Sequence, residues 1–299
     1  IGSGLVGSEM CIRDRYKYRK ERHSKEEIRM KVVGFLNNKG GVGKTGSITT
    51  LAHMIATEYK RKVLVVDIDP QANTSQLFGF SGDEQEYSLT ELLNGRVYPV
   101  ENTVEDILLD SEKDIRDCIY ETEYENLFIV PSYITLSSVE NQLLGNVTMP
   151  QQFRLKKQLD KVKDEFDLCM IDCGPSVSLL NVNALAACDG IYIPSRCDKD
   201  SRVGVANIIR LMKTVQEYNQ RLELKGVFLT QYDMRKNICK DAEKDCEEAL
   251  GDIFLKDCSI PICTKMEQTG LKQKPLLVLD AYGKATQQYK KLAEYILNN

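Results

Sequence analysis

Residues 31–57 read KVVGFLNNKGGVGKTGSITTLAHMIAT, and the fold turns on how this stretch divides. KVVGFL is an apolar run rich in β-branched residues, the pattern of a buried strand. From Lys44 to about Lys60 the apolar residues recur at helical spacing, and between the two runs stand glycines at 40, 41 and 43. The stretch therefore predicts strand, glycine loop, helix. Glycine adopts positive φ at no steric cost, so consecutive N–H groups can turn inward around an anion, and the helix N-terminus adds its partial positive charge. In that frame Lys44 reaches the β- and γ-phosphates of a nucleotide, and Thr45 can place its hydroxyl on Mg²⁺. The common spacing G-x-x-x-x-G-K-[ST] is not met, because Asn38 stands at its first glycine; Lys39 instead directly precedes Gly40.

Two later runs have the same design. VLVVDIDPQANTS (63–75) is a buried β-run that ends in Asp67 and Asp69, and FDLCMIDCGPS (166–176) is one that ends at Asp172. An acid at a strand end can merely cap a turn. In a doubly wound sheet, however, ligands bind beyond the carboxyl ends of the strands, where these three acids would meet the glycine loop. The expected fold is α/β: a doubly wound, mostly parallel sheet flanked by helices, as one domain over residues 30–299.

Together these segments resemble the ParA/MinD family of ATPases, whose deviant phosphate loop carries an early lysine where Lys39 stands. The resemblance runs from Met30 to the end of the chain and is least diagnostic over residues 81–125. It implies that ATP lies on Lys39, Gly40, Gly41, Val42, Gly43, Lys44, Thr45 and Gly46, and that Thr45, Asp67 and Asp172 serve Mg²⁺. Asp69 then orients the attacking water, while Lys39 crosses a dimer interface and joins Lys44 in neutralising phosphate charge. GIYIPSRCDKDSRVG (190–204) resembles the family's strand and interface loop, with Pro194 and Asp198 in matching places. VFLTQYDMRKN (227–237) resembles a strand and the turn carrying Arg235, and residues 259–280 the segment that contacts adenine around Pro261.

Two residues depart from the family pattern. Gly46 replaces a threonine whose hydroxyl would contact the α-phosphate, and glycine costs about 1 kcal/mol of helix propensity relative to alanine. Gly174 replaces the first proline of a DCPPS loop and should loosen that backbone without touching Asp172.

Composition narrows the rest. The chain has 299 residues, 28% charged and 42% hydrophobic, which excludes disordered, collagen-like and coiled-coil classes. No apolar run approaches the roughly 18 residues that a membrane span needs. The ten cysteines form no C-x-x-C pair and read as reduced thiols, and with two histidines in the chain, His23 and His53, His-based catalysis has little to work with. LVGSEMCIRD (5–14) resembles a translated sequencing adapter, and Lys25 to Glu27 can be encoded by a ribosome-binding site ahead of Met30. Residues 1–29 are thus read as a non-native leader, with a genuine basic arm as the other reading. Without that segment's eight basic and five acidic residues, a net charge of -4 becomes about -7, from 32 basic against 39 acidic. Any contact with DNA must be a local patch.

Within the family the resemblance is to compact, Soj-like members. KATQQYKKLAEYIL (284–297) places Tyr289, Leu292, Ala293 and Ile296 at helical spacing and reads as a packing helix rather than a membrane-binding one. The resemblance implies an ATP-bound homodimer that lays a basic surface on double-stranded DNA without sequence preference. Arg235 and Lys265 match basic positions there, and Lys272 and Lys274 would extend the patch. It further implies hydrolysis stimulated by a ParB-like adaptor, no membrane partner, and a cytoplasmic protein that joins the nucleoid when ATP is bound. A MinD-like or regulatory switch that positions protein or membrane-bound cargo is the competing expectation.

Overall fold

The computed structural model describes residues 29–80, 100–133, 135–145 and 150–299. The leader expected over residues 1–29 lies, apart from Arg29, outside the described residues. The first half of the chain forms β1 (Lys31–Phe35), α1 (Lys44–Thr57), β2 (Val63–Ile68), α2 (Asn73–Leu77), α3 (Val104–Leu109), β3 (Tyr120–Glu121), β4 (Leu127–Val130) and α4 (Leu136–Gly145). There follow α5 (Arg154–Leu159), β5 (Leu168–Cys173), α6 (Leu179–Ala187), β6 (Gly190–Ser195), α7 (Lys199–Val215), β7 (Glu223–Leu229), α8 (Asn237–Leu250), α9 (Thr264–Lys272), α10 (Leu276–Leu279) and α11 (Lys284–Asn298).

The strands form one sheet in the order β3-β4-β2-β5-β1-β6-β7. Every pairing is parallel except that of β3 with β4, so the sheet is the doubly wound, mostly parallel one expected. Both faces are covered, which is why the central strands read as unbroken apolar runs. On β2, Leu64, Val66 and Ile68 enter one core, where α6 and α7 contribute Ala184, Ile208 and Met212. Val63 and Val65 enter the other, with Ile48 and Leu51 of α1 and Tyr289, Leu292, Ala293 and Ile296 of α11. This is the period-two alternation of a pleated strand.

Helix α11 is also stitched to β1 and α1. The hydroxyls of Ser47 and Tyr289 share a hydrogen bond at 3.0 Å, and Lys31 Nζ donates to the Ile296 carbonyl at 2.9 Å. The nine described cysteines are free thiols, eight of them buried. Among the described residues no helix is long and apolar enough to cross a membrane.

Strand register positions the chemistry. Asp172 lies level with Asp67 on one side and Phe35 on the other, so both acids arrive where β1 opens into the glycine loop.

Candidate nucleotide and cation site

The loop between β1 and α1 bends where glycine alone is comfortable. Gly41 and Gly43 have φ of +73° and +86°, and Gly43 is the N-cap of α1. Thr230, just past β7, holds the loop by donating its hydroxyl to the Val42 carbonyl at 2.8 Å. Lys44 is 6% exposed; its ammonium lies 3.4 Å from the Asn37 carbonyl and 3.3 Å from that of Lys39. Burial lowers its pKa, and the nearby carboxylates of Asp172 and Asp69 oppose that shift.

Asp172 is fully buried at the end of β5. Its Oδ2 accepts from Thr45 Oγ1 at 2.8 Å and from Thr74 Oγ1 at 2.7 Å, while its Oδ1 is buried without a partner. Asp67 is buried beside it, but both its oxygens serve its own loop: Oδ2 accepts from the Ser75 N–H and hydroxyl, and Oδ1 from the Asp69 N–H. Burial pushes both acids upward, and neighbouring carboxylates add to the shift; the hydroxyls on Asp172 pull it partly back. This donor set fits Mg²⁺. A hard cation beside Asp172 would satisfy the bare oxygen, take up the threonine hydroxyl as a further oxygen donor, and relieve the repulsion between acids.

Asp69 lines a cleft of about 430 Å³ together with the phosphate loop, Gln71, Asn73, Gln76, Leu77, Pro175, Thr269 and Gly270. Its Oδ1 accepts from the Gln71 N–H at 3.0 Å. Three residues after Asp69, Ala72 holds φ of +52°, a left-handed conformation uncommon outside glycine, asparagine and aspartate. The space at Gly174 opens toward Asp69: an added Cβ would stand 3.6 Å from its Oδ1. The Gly174 departure therefore bears on the carboxylate that lines the cleft with the glycine loop.

Lys39 points elsewhere. Its ammonium lies 2.5 Å from Asp198 Oδ1 and 3.8 Å from Asp200 of the same chain. Burial alone would raise the Asp198 pKa, but hydrogen bonds from Lys39 and Ser201 outweigh it and hold it at about 2. Asp198 also N-caps α7, so Lys39 is docked on a rigid element.

The remaining expected residues fall into separate groups. Pro261 lines a second cleft of about 990 Å³ with Tyr232, Arg235, Tyr282, Lys284 and Lys291. Arg235 is forked onto Asp233 at 2.9 and 3.0 Å. Lys265 and Lys272 are exposed on α9, the helix whose Thr269 and Gly270 reach the phosphate cleft. Lys274 is paired with Glu123 at 2.7 Å. Sequence reasoning missed Thr74, Thr269 and Asn37. Thr74 follows the Asp69 loop closely enough to have been suspected, whereas Thr269 reaches the cleft only through tertiary packing.

A glycine-wrapped anion site, a buried lysine and a hydroxyl-bound carboxylate at the ends of adjacent parallel strands define a P-loop nucleotide hydrolase. A family model described as AAA domain matches residues 30–224. The chain is 33% identical over 270 residues to the sporulation initiation inhibitor protein Soj of Bacillus subtilis (strain 168), which spans 90% of this chain and 99% of Soj. It is 30% identical over 272 residues to the chromosome partitioning protein ParA of Caulobacter vibrioides, which spans 90% and 94%. The fold superposes with a TM-score of 0.72, at 25% identity and 90% and 94% coverage, on cobyrinic acid a,c-diamide synthase from Mycobacterium smegmatis with bound ADP and magnesium. The chain belongs to the ParA/Soj family of deviant phosphate-loop proteins, and it is an ATPase that uses ATP and Mg²⁺.

Proposed function

We propose that this ATPase partitions or positions a cargo, that the surface it rides on is double-stranded DNA, and that ATP hydrolysis ends each engagement. One observation carries the reading: helix α9 supplies both the rim of the phosphate cleft, through Thr269 and Gly270, and an exposed basic face, through Lys265 and Lys272. The likeness to the chromosome partitioning protein ParA of Caulobacter vibrioides, which the match spans to 94%, supports it.

In this reading Gly40, Gly41, Val42, Gly43, Lys44, Thr45 and Gly46 cradle the phosphates, and Pro261 borders the base from the neighbouring cleft. Thr45 and Asp172 would hold Mg²⁺, whose chemistry is to neutralise charge on the β- and γ-phosphate oxygens; Asp67 supports them by fixing the loop after β2. Asp69 orients the water for in-line attack, and Lys44 neutralises charge developing on the leaving phosphate. Lys39 reaches the phosphates of a second copy once it leaves Asp198, which ties dimerisation to breaking an ion pair within one chain. A ParB-like adaptor accelerates the step by supplying cations in trans, an effect worth about 10³ to 10⁵ in phosphoryl transfer generally. The protein works in the cytoplasm and gathers on the nucleoid when ATP is bound.

Retention on arbitrary duplex DNA tests the reading. It should require ATP and Mg²⁺, fall steeply with salt, and weaken in Arg235→Glu with nucleotide binding intact. No retention at low salt with ATP would overturn the DNA assignment. A second reading, a switch that docks on protein or membrane, is favoured by the acid partners that already engage Arg235 and Lys274. ATP-dependent capture on vesicles but not on DNA would select it.

A further inference from the structure

Helix α9 approaches the phosphate-loop helix where that helix is bare, at Gly46. A Cβ built on Gly46 would stand 3.0 Å from Met266 Sδ, with the Met266 Cγ and Cε at 3.7 and 3.8 Å. Met266 packs against the core that α1 and α11 share, and its carbonyl accepts the Thr269 hydroxyl at 2.8 Å. The inner side of α9 is thus braced from Met266 to Thr269, one turn apart, and Thr269 lies on the cleft. Lys265 and Lys272, seven residues or two turns apart, share one exposed face of the same helix.

We infer that Met266, seated against Gly46, is the positioning residue that transmits the state of the phosphate loop to the basic helix α9. The inference rests on the proposed reading of α9 as a nucleic-acid surface and names the contact that regulates it. Gly46 is in the first turn of α1, three residues after the N-cap, where phosphate binding acts on the backbone. With no side chain at residue 46, a displacement of that turn presses directly on the thioether. A flexible, polarisable methionine can follow such a displacement while staying in contact. A threonine at residue 46 would take the place now held by the sulfur. Gly46 and Met266 are therefore one device, and the lost hydroxyl is exchanged for a mechanical contact.

Tryptic cleavage after Lys265 and Lys272, with and without ATP and Mg²⁺, reads the state of α9 without reference to DNA. In the parent, ATP should slow this cleavage by about fivefold or more, the lower end of ordinary coupling between sites. Met266→Ala should lose most of that protection while ATP affinity stays within about threefold, since the side chain does not line the cleft. Met266→Leu, which keeps the volume, should retain it and so distinguishes coupling from poor folding. Gly46→Ala and Met266→Ala should be non-additive, because the two groups compete for one space. Absence of ATP protection in the parent, full protection in Met266→Ala, or additive single effects would each overturn the inference. Duplex retention on the same samples separates the two readings. A parent that shows the protection pattern but binds no DNA loses the DNA partner and keeps the coupling. ATP-dependent DNA binding left unchanged by Met266→Ala removes the coupling and keeps the partner.

Discussion

The phosphate cleft and the basic face of α9 are neighbours built on opposite principles. In and beside the cleft, Lys44, Asp69 and Asp172 are buried and held by hydrogen bonds that allow few arrangements. On the basic face Lys265 and Lys272 are exposed to solvent, and Lys274, just beyond the helix, is paired with Glu123 far away in the chain. Buried charges act at short range in a low dielectric, so their effects are large, pH-sensitive and nearly indifferent to salt. Exposed charges act weakly and collectively, and salt screens them. In the proposed function, strong, fixed electrostatics read the nucleotide and weak, tunable electrostatics hold a surface.

Substitutions can break or sharpen this contrast. Asp69→Ala should have the largest effect, a loss on the order of 10² to 10⁴ in single-turnover hydrolysis with ATP still bound; a parental rate would remove Asp69 from the chemistry. Lys44→Ala should weaken ATP binding about 100-fold, measured calorimetrically, because it deletes a buried charged donor to phosphate. His53 of α1 packs edge-on against Tyr124 at 4.4 Å, and the Lys274 ammonium lies 6.0 Å from that ring. Burial lowers the His53 pKa to about 4, partly opposed by Glu123. The unfolded chain therefore binds the extra proton first, and stability is full above about pH 6.5 and falls as pH drops toward 4. At pH 5 the loss from this one group should be about 2 kcal/mol, and melting curves of His53→Gln should be flatter across that window.

Effects on the basic face should be smaller. Replacing Lys265 or Lys272 by alanine should each lower the slope of log affinity against log salt by about 1, with ATP binding unchanged. Lys274→Ala should change DNA affinity by less than about twofold, because its charge is already spent on Glu123. A large effect at Lys274 would show that the pair opens on DNA and would blur the distinction drawn above.

The same contrast explains what could be read from the sequence. Main-chain demands at Gly41 and Gly43, and acids at the ends of apolar runs at Asp67, Asp69 and Asp172, are local, so strand, loop and helix followed directly. The orientation of each carboxylate was less accessible: Asp67 turned out to serve its own loop, and the room at Gly174 faces Asp69 rather than Asp172. Asp198 was noticed, but nothing in residues 190–204 says that it holds Lys39, 159 residues earlier. Thr269 reaches the cleft, and Met266 reaches Gly46, only because α9 packs against α2 and the start of α1, segments nearly 200 or more residues away in the chain.

The two stitches between the ends of the fold, Ser47 with Tyr289 and Lys31 with Ile296, bear on how the protein is made. The nucleotide loop is synthesised well before the helix that backs α1. A nascent or prematurely terminated chain carries every residue of the phosphate loop without the wall that steadies it. A chain cut before α11 should therefore bind nucleotide more weakly than the whole fold.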